Sequence, residues 1–307
     1  MDRFEAMSML VTVTEKGSLS AAGRALQVPL ATLSRKISDL EALLGTRLLI
    51  RTTRKLTLTD AGIAYVSAAR RIIEQVEEAE REAGGEFMAP KGELVVTAPV
   101  MFGRLYVLPV VADFLATFAE INIHLILADR NVDLIGDRVD MAARIGKLPD
   151  SSMVATQIGM MRTVTCASPA LLAGHGIPRK PDELLRFPCV AVDTPQPSPG
   201  WRFKRPRSDA ALEVPISPRL AVTTTEAAAQ AAICGVGVTR LLHYQVADAA
   251  ERGELQIVLE EYEPAPAPVH LVHASRGQMQ LKMRRFLDFA APRLRKALSR
   301  LNPTRAG

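Results

Sequence analysis

The sequence predicts an α/β protein that opens with a helix-turn-helix and a basic hairpin, continues into one long helix, and ends in a larger domain of alternating strands and helices. Three observations predict it. Residues 18 to 62 fit two short helix patterns, a tight turn and a cationic hairpin into one short segment. Residues from Thr59 to about Ala83 carry an apolar stripe at helical spacing. From Glu93 onward, short apolar runs alternate with helical stretches.

Taken in order, Phe4, Met7, Leu10 and Val11 recur at helical spacing, so residues 2 to 15 read as an amphipathic helix that Gly17 stops. Ser20 stands where an N-cap belongs, and the small Ala21, Ala22 and Ala25 let a second helix pack closely. Val28-Pro29 makes the turn, because proline fixes its own φ and lacks a donor. A third helix follows, with Leu33, Ile37, Leu40 and Leu44 on one face and Thr32, Ser34, Arg35 and Lys36 on the other. A helix apolar on one side and cationic on the other, just after a tight turn, suits the major groove of DNA. Gly45 ends it, and Leu48-Leu49-Ile50 and Leu56-Thr57-Leu58 flank a basic turn as a hairpin, or wing, that places Arg51, Thr52, Arg54 and Lys55 against phosphate or a minor groove.

Thr59 caps the next helix, whose stripe of Ile63, Val66, Ile72, Ile73 and Val76 has no evident local partner and predicts self-association. Gly84-Gly85 and Pro90-Lys91-Gly92 read as a hinge. In the large domain the expected strands are 94–98, 123–128, 141–145, 163–167, 189–192 and 220–224, and the expected helices are 102–119, 169–173, 225–234 and 279–298. Near-continuous apolar strands between helices predict a largely parallel sheet.

Composition bounds the function. The chain has 307 residues, 48% hydrophobic and 23% charged, with a net charge of +5. No apolar run is expected to reach the roughly 18 residues of a membrane span. Acidic Asp2, Glu5 and Glu15 argue against a signal peptide, so a cytoplasmic protein with no membrane partner is expected. From Arg35 to Lys55 six basic residues face two acidic ones, which fits phosphate contact. From Arg276 onward nine basic residues face only Asp288, which reads as a solvated amphipathic helix. Cys166, Cys189 and Cys234 have no metal-binding or disulfide spacing and are expected to be buried, inert thiols.

The stretches GSLSAAGRAL, LSRKISDLEALLGTRLLIRTTR and LTLTDAG resemble the DNA-binding domain of LysR-type transcriptional regulators, and AARIGKLPDSS resembles a stretch bordering that family's ligand cleft. The resemblance extends over essentially the whole chain. It implies a winged helix-turn-helix over 1–58, a linker and dimerisation helix with its hinge over 59–91, and an effector domain over 92–301. That domain would resemble a periplasmic binding protein, with one subdomain formed by 92–161 and 268–301, the other by 162–267, and crossings at Met161-Arg162 and near Pro264 to Pro268. It also implies a homodimer or homotetramer that contacts a spaced palindrome in double-stranded DNA near promoters and answers to a small organic effector. One departure stands out. The family usually has Ser-Gln-Pro where this chain reads Pro29-Leu30-Ala31, so a leucine replaces a candidate base-reading glutamine.

The candidate DNA contacts are therefore Ser20, Leu30, Ala31, Thr32, Ser34, Arg35, Lys36, Arg51, Thr52, Arg54 and Lys55. Effector contacts are expected where strands end and helices begin. Thr97, Pro99, Val100 and Met101 follow the first strand, Thr223 and Thr224 precede a helix with Thr223 and Glu226 at capping-box spacing, and Arg144, Ile145 and Gly146 end a third strand. Hydroxyl, N–H and guanidinium donors at these places point to a small organic anion, with plain helix capping as the other reading of the threonines. Trp201 reads as a partly buried packing residue, and His270 and His273 as structural residues around a strand. No GxSxG elbow or phosphate-binding loop occurs, so no catalysis, cofactor or metal is expected. An architectural DNA binder without effector, a fused enzyme and a solute-binding protein are the competing readings.

Overall fold

The computed structural model describes residues 2–51, 56–83, 90–130, 132–134, 136–148, 153–193, 200–206, 211–274 and 279–301. The chain divides into two units, Met1–Met88 and Ala89–Gly307.

The first unit begins with helix α1 (Arg3–Lys16), capped by Asp2 and ended by Gly17 in the left-handed region at φ 68°. Helix α2 (Leu19–Leu26) is capped by Ser18, whose Oγ accepts from the Ala21 N–H at 3.1 Å. The cap expected at Ser20 thus lies two residues earlier, because Ser18 is the last residue with extended backbone (φ −156°). Helix α3 (Leu30–Leu44) follows the turn at Val28-Pro29 and ends at Gly45. Leu33, Ile37 and Leu40 are fully buried and pack with Leu10, Val13, Leu48 and Val66. Strands β1 (Leu49–Arg51) and β2 (Leu56–Leu58) pair antiparallel with Ile50 opposite Thr57. Helix α4 (Asp60–Ala83) starts on Thr59, whose Oγ1 accepts from the Gly62 N–H at 2.9 Å. Gly62 lies so close to the hairpin that a Cβ there would stand 2.1 Å from the Leu48 carbonyl oxygen. The α4 stripe does have a local partner. Val66, Ala69 and Ile73 join the core that α1 helps to build, and Arg70 pairs with Glu15 at 3.3 Å, which leaves Ile63 and Ile72 exposed.

The second unit contains two five-stranded sheets. The first holds β3 (Gly92–Ala98), β4 (Ile121–Leu127), β5 (Met141–Ile145), β6 (Met153–Met161) and β14 (Ala267–Ala274) in the order β4-β3-β5-β14-β6. The second holds β7 (Thr163–Ala167), β8 (Cys189–Val192), β11 (Pro218–Val222), β12 (Val238–Leu242) and β13 (Gln256–Val258) in the order β11-β8-β12-β7-β13. A hairpin of β9 (Gly200–Lys204) and β10 (Ala211–Pro215) lies beside the second. The expectation of a largely parallel sheet is corrected. β3 pairs parallel with β4 and β5, and β8 with β11 and β12, but β14 and β7 pair antiparallel with both of their neighbours. The chain passes from one sheet to the other at Arg162 and returns before Ala267.

Helix α5 (Val100–Phe102), a π-helical turn (Gly103–Val107) and helix α6 (Leu108–Thr117) form one continuous segment after β3. By length and mean hydropathy this segment could cross a membrane, which corrects the expectation that nothing in the chain would. Phe102, Val107, Val110, Val111 and Phe114 instead pack into the core of the first sheet. The helices α7 (Pro169–His175), α8 (Thr225–Ile233) and α9 (Ala247–Glu251) accompany the second sheet, and α10 (Leu281–Leu301) returns to the first, where Phe286, Ala290, Leu294 and Leu298 are buried.

Cys166 and Cys189 are buried, and burial pushes their thiols up to about 12 and about 11. Cys234 corrects the expectation of three buried thiols: it is exposed at the end of α8, where its Sγ accepts from Gln230 Nε2 at 3.6 Å. Trp201 on β9 packs with Phe203, Val214 and Val258. His270 and His273 stand three apart on β14 and so face opposite sides of the sheet, with His273 buried.

Candidate nucleic-acid interface and ligand cleft

The α2–turn–α3 geometry follows from local chemistry. Gln27 leaves α2 in the left-handed region at φ 55°, and the Val28 N–H donates to the Gly23 carbonyl at 2.9 Å. Pro29 then enters α3 without needing a donor. The inner face of α3 is fixed by Leu33, Ile37 and Leu40, so Ala31 and Arg35, one turn apart, share the outward face and are exposed. Leu30 is 49% exposed at the first turn, while Thr32 and Ser34 are half-buried at the flanks. Glu41 stitches the helix to the wing, because its Oε1 accepts from the N–H groups of Leu48 at 2.7 Å and Leu49 at 3.0 Å.

Two candidates stand differently from expectation. Ser20 is exposed in the first turn of α2 but does not cap it. Lys36 is half-buried and pairs with Glu5 on α1, so its charge is drawn to the helix-packing side and away from the outward face. Thr52, Arg54 and Lys55 lie outside the described residues, and of Arg51 only the backbone is described. The sequence reading passed over Arg24, Gln27 and Ser38, which are exposed around the turn and on the outward face. Their signal was helical phase: Ser38 is one turn beyond Arg35 once the buried face is fixed.

In the second unit, the carboxyl ends of β3, β4 and β5 lie side by side, and most of the expected donors there are engaged. Thr97 is fully buried, and its hydroxyl donates to the Ile126 carbonyl at 2.9 Å. The hydroxyl expected to greet a ligand therefore serves the sheet. Pro99 starts α5, and the exposed Val100 donates its N–H to Asp129 Oδ1 at 3.0 Å, so a carboxylate of the chain itself occupies that helix start. Met101 packs on the core of the first sheet. Arg144 donates to the Val132 carbonyl at 2.9 Å, and burial lowers its pKa from the usual arginine value. Ile145 packs on the same core, and Gly146, at φ 115°, donates its N–H to the Pro268 carbonyl at 2.8 Å. On the second subdomain, Thr224 rather than Thr223 caps α8, accepting from the Ala227 N–H at 3.2 Å; Thr223 is exposed. The capping-box spacing of Thr223 and Glu226 misplaced the cap by one residue.

Two contacts between the subdomains, and a third beside the crossings, have no counterpart in the sequence analysis. Arg104 Nη2, in the π-helical turn, meets Glu226 Oε1, in the first turn of α8, at 2.9 Å. Phe102 and Tyr106 meet Tyr244 edge-on, with ring centroids 5.5 and 6.0 Å apart. Burial raises the Tyr244 phenol to about 12, so it stays neutral. The crossing segments are tied by Arg162, whose Nε and Nη2 donate to the two oxygens of Glu263 at 2.8 and 2.7 Å, with Glu260 at 3.1 Å. None of these pairs has a sequence signal, because their members lie about 100 or more residues apart. The π-helical turn aims Arg104 toward the second subdomain. Gly103, its first residue, lets the segment press onto the sheet: a Cβ there would stand 2.2 Å from Leu127 Cδ2.

Comparison with known proteins agrees with this architecture. Residues 4–63 match the family model described as a bacterial regulatory helix-turn-helix protein of the lysR family, and residues 89–295 match the LysR substrate binding domain. An HTH-type transcriptional regulator of Xanthomonas campestris is 34% identical over 288 residues, covering 93% of this chain and 84% of that protein. An HTH-type transcriptional repressor of Pseudomonas aeruginosa is 31% identical over 298 residues, covering 94% and 91%. The solved structure of CrgA, a LysR-type transcriptional regulator from Neisseria meningitidis, superposes with a TM-score of 0.60 at 30% identity, covering 94% of this chain and 98% of that one.

Proposed function

Since the chain belongs to the LysR family of transcriptional regulators, with a DNA-binding helix-turn-helix ahead of an effector-binding domain, we propose that it reads a spaced palindrome near promoters as a homodimer or homotetramer, under the control of a small organic anion. The anion sits between the subdomains of the second unit and acts in the cytoplasm. The observation that carries this reading is the Arg104–Glu226 pair at 2.9 Å, because it joins the subdomains through groups that a ligand can separate. An effector carboxylate would compete with Glu226 for Arg104 and so favour a different subdomain arrangement. Differential affinity of that kind is what a ligand needs to shift an equilibrium. This moves the expected anion contact from Thr97, whose hydroxyl is buried and engaged, and Arg144, which donates within its own subdomain, to Arg104, which reaches the other subdomain.

The proposed division is a DNA-binding domain over 1–58, a linker over 59–91 and an effector domain over 92–301, split into 92–161 with 268–301 and 162–267. It is supported by the two contact units and by the sheet change at Arg162. Self-association through α4 is supported by the exposure of Ile63 (50%) and Ile72 (41%) on a helix whose Val66, Ala69 and Ile73 pack on the core of its own unit. The reading asks for no turnover, and clear turnover on a broad substrate panel would overturn it.

Two measurements test it. Footprinting on the DNA upstream of the chain's own gene should give a protected, spaced palindrome; weak and sequence-blind binding would favour an architectural role. A melting screen against small carboxylates should find a stabilising ligand whose effect is lost in Arg104→Gln. A stabilising ligand indifferent to that change would move the site elsewhere.

A further inference from the structure

Helix α10 carries a charge pattern that neither its packing nor the regulator's known parts use. Its inner face is buried on the first sheet through Phe286, Ala290, Leu294 and Leu298, which fixes the direction of its outer face. Its outward face is exposed and carries Arg284, Arg285, Arg293, Arg295, Lys296 and Arg300 against the single acid Asp288. Arg293 lies over the Phe289 ring, and Arg295 donates to the Gln157 carbonyl at 3.0 Å, so both serve the fold in part. Arg285, Lys296 and Arg300 make no ion pair among the described residues and lie within a quarter-turn of one another around the helix. The adjoining strand β6, which α10 packs against, has no charged residue to offset them.

We propose that this face is a second, sequence-independent DNA contact that takes up backbone phosphates flanking the operator. From Arg284 to Arg300 the cations extend over roughly 24 Å of helix, comparable to about seven phosphates along one strand. No large hydrophobic residue on α10 is exposed, so the face lacks the apolar or aromatic anchor that a protein partner would need. Phosphate binding needs no such anchor. The first unit already tethers the second to DNA, so even a weak contact is made at high effective concentration.

The test uses the full-length chain and two duplexes, one trimmed to the footprinted core and one extended by two helical turns on each side. Wild type should bind the longer duplex more tightly and with a steeper salt dependence. In the triple variant Arg285→Gln, Lys296→Gln, Arg300→Gln, binding to the trimmed duplex should be unchanged, while the gain from the flanks is lost and the log–log salt slope falls by about 2 to 3 for each protomer that engages a flank, roughly 0.9 for each phosphate released. The charge-keeping variant Arg285→Lys, Arg300→Lys should behave as wild type, which separates charge from any effect on folding. A wild-type chain indifferent to the flanks, or a triple variant that keeps the flank gain, overturns the proposal. So does a triple variant that binds both duplexes normally but fails to regulate transcription in vitro, which would assign the face to an acidic protein.

Discussion

At the scale of single residues, Leu30 stands half exposed in the first turn of α3, the helix proposed to enter the groove; there an amide could reach a base edge, whereas a leucine could meet only a thymine methyl. Leu30→Gln should change operator preference at one base position, with a discrimination of about 1–3 kcal/mol, and leave the salt dependence unaltered. Selection from randomised operators measures the first and a salt titration the second; a uniform loss on all sequences would mean that Leu30 only helps position the helix. His243 makes a second residue-level prediction. Burial first, then the charge of Arg162, hold its pKa below the ordinary 6.5, against weaker opposing effects from Glu263 and the backbone at Leu301. The unfolded chain therefore takes up the proton first as the pH falls. Stability from this group is intact above pH 6.5, declines as the pH drops from 6.5 toward the folded value, and levels off below it. His243→Gln should lack that slope, so the difference between the wild-type and variant melting-versus-pH curves should change below pH 6.5; parallel curves would sink the assignment. The exposure of the candidate residues was legible where chemistry is local, as at Ala31 and Arg35, whose outward position follows from helical phase. They were illegible where a partner decides: Lys36 belongs to Glu5, and the Val100 N–H belongs to Asp129.

At the scale of elements, the start of α2 discriminates between two serines. Ser18→Ala should cost about 1 kcal/mol of stability, the usual loss of an N-cap, and Ser20→Ala close to nothing; chemical denaturation of the two variants distinguishes them, and equal losses would contradict the cap geometry. Elements with a strong local pattern could be read from the sequence. The strands Met141–Ile145, Thr163–Ala167 and Cys189–Val192 fall where expected, and α8 differs by one residue at its end. Strands β6, β9, β10, β12 and β13 were not foreseen. β6, MVATQIGMM, is an edge strand with exposed residues on both sides, so it lacks the apolar run that marks a buried one. β9 and β10 do alternate, with Trp201, Phe203, Leu212 and Val214 apolar and Arg202, Lys204 and Glu213 charged, but each runs for only five residues and β10 ends in Pro215, too short a pattern to stand out. The helix after β3 is expected from the sequence as regular, and its π-helical turn at Gly103–Val107 has no signal in the apolar pattern.

At the scale of the whole molecule, the crossings between the sheets depend on Arg162. Arg162→Ala would leave Glu263, whose side chain is 12% exposed, without its bidentate partner. The loss should be about 2 kcal/mol, below the 3–5 kcal/mol of a fully buried pair because Arg162 is itself partly solvated. Urea titration measures it, and a change under a few tenths of a kcal/mol would mean that the clamp is incidental. Self-association makes the second prediction at this scale. Ile63→Glu with Ile72→Glu should weaken it at least about tenfold, the factor that roughly 1.4 kcal/mol supplies, as read by sedimentation; an unchanged oligomer would place the interface off α4. The two-sheet plan was legible only through family resemblance, since no local pattern announces that a strand near residue 270 inserts into a sheet begun near residue 92. That insertion bears on how the chain is made. β14 lies between β5 and β6, and β6 has no other neighbour in its sheet. During synthesis, β6 therefore emerges with its backbone unpaired, while β7 to β13 emerge as one uninterrupted block able to close by itself. The sheet begun first is finished last, and a chain cut short after β13 would hold a complete second sheet beside an unfinished first.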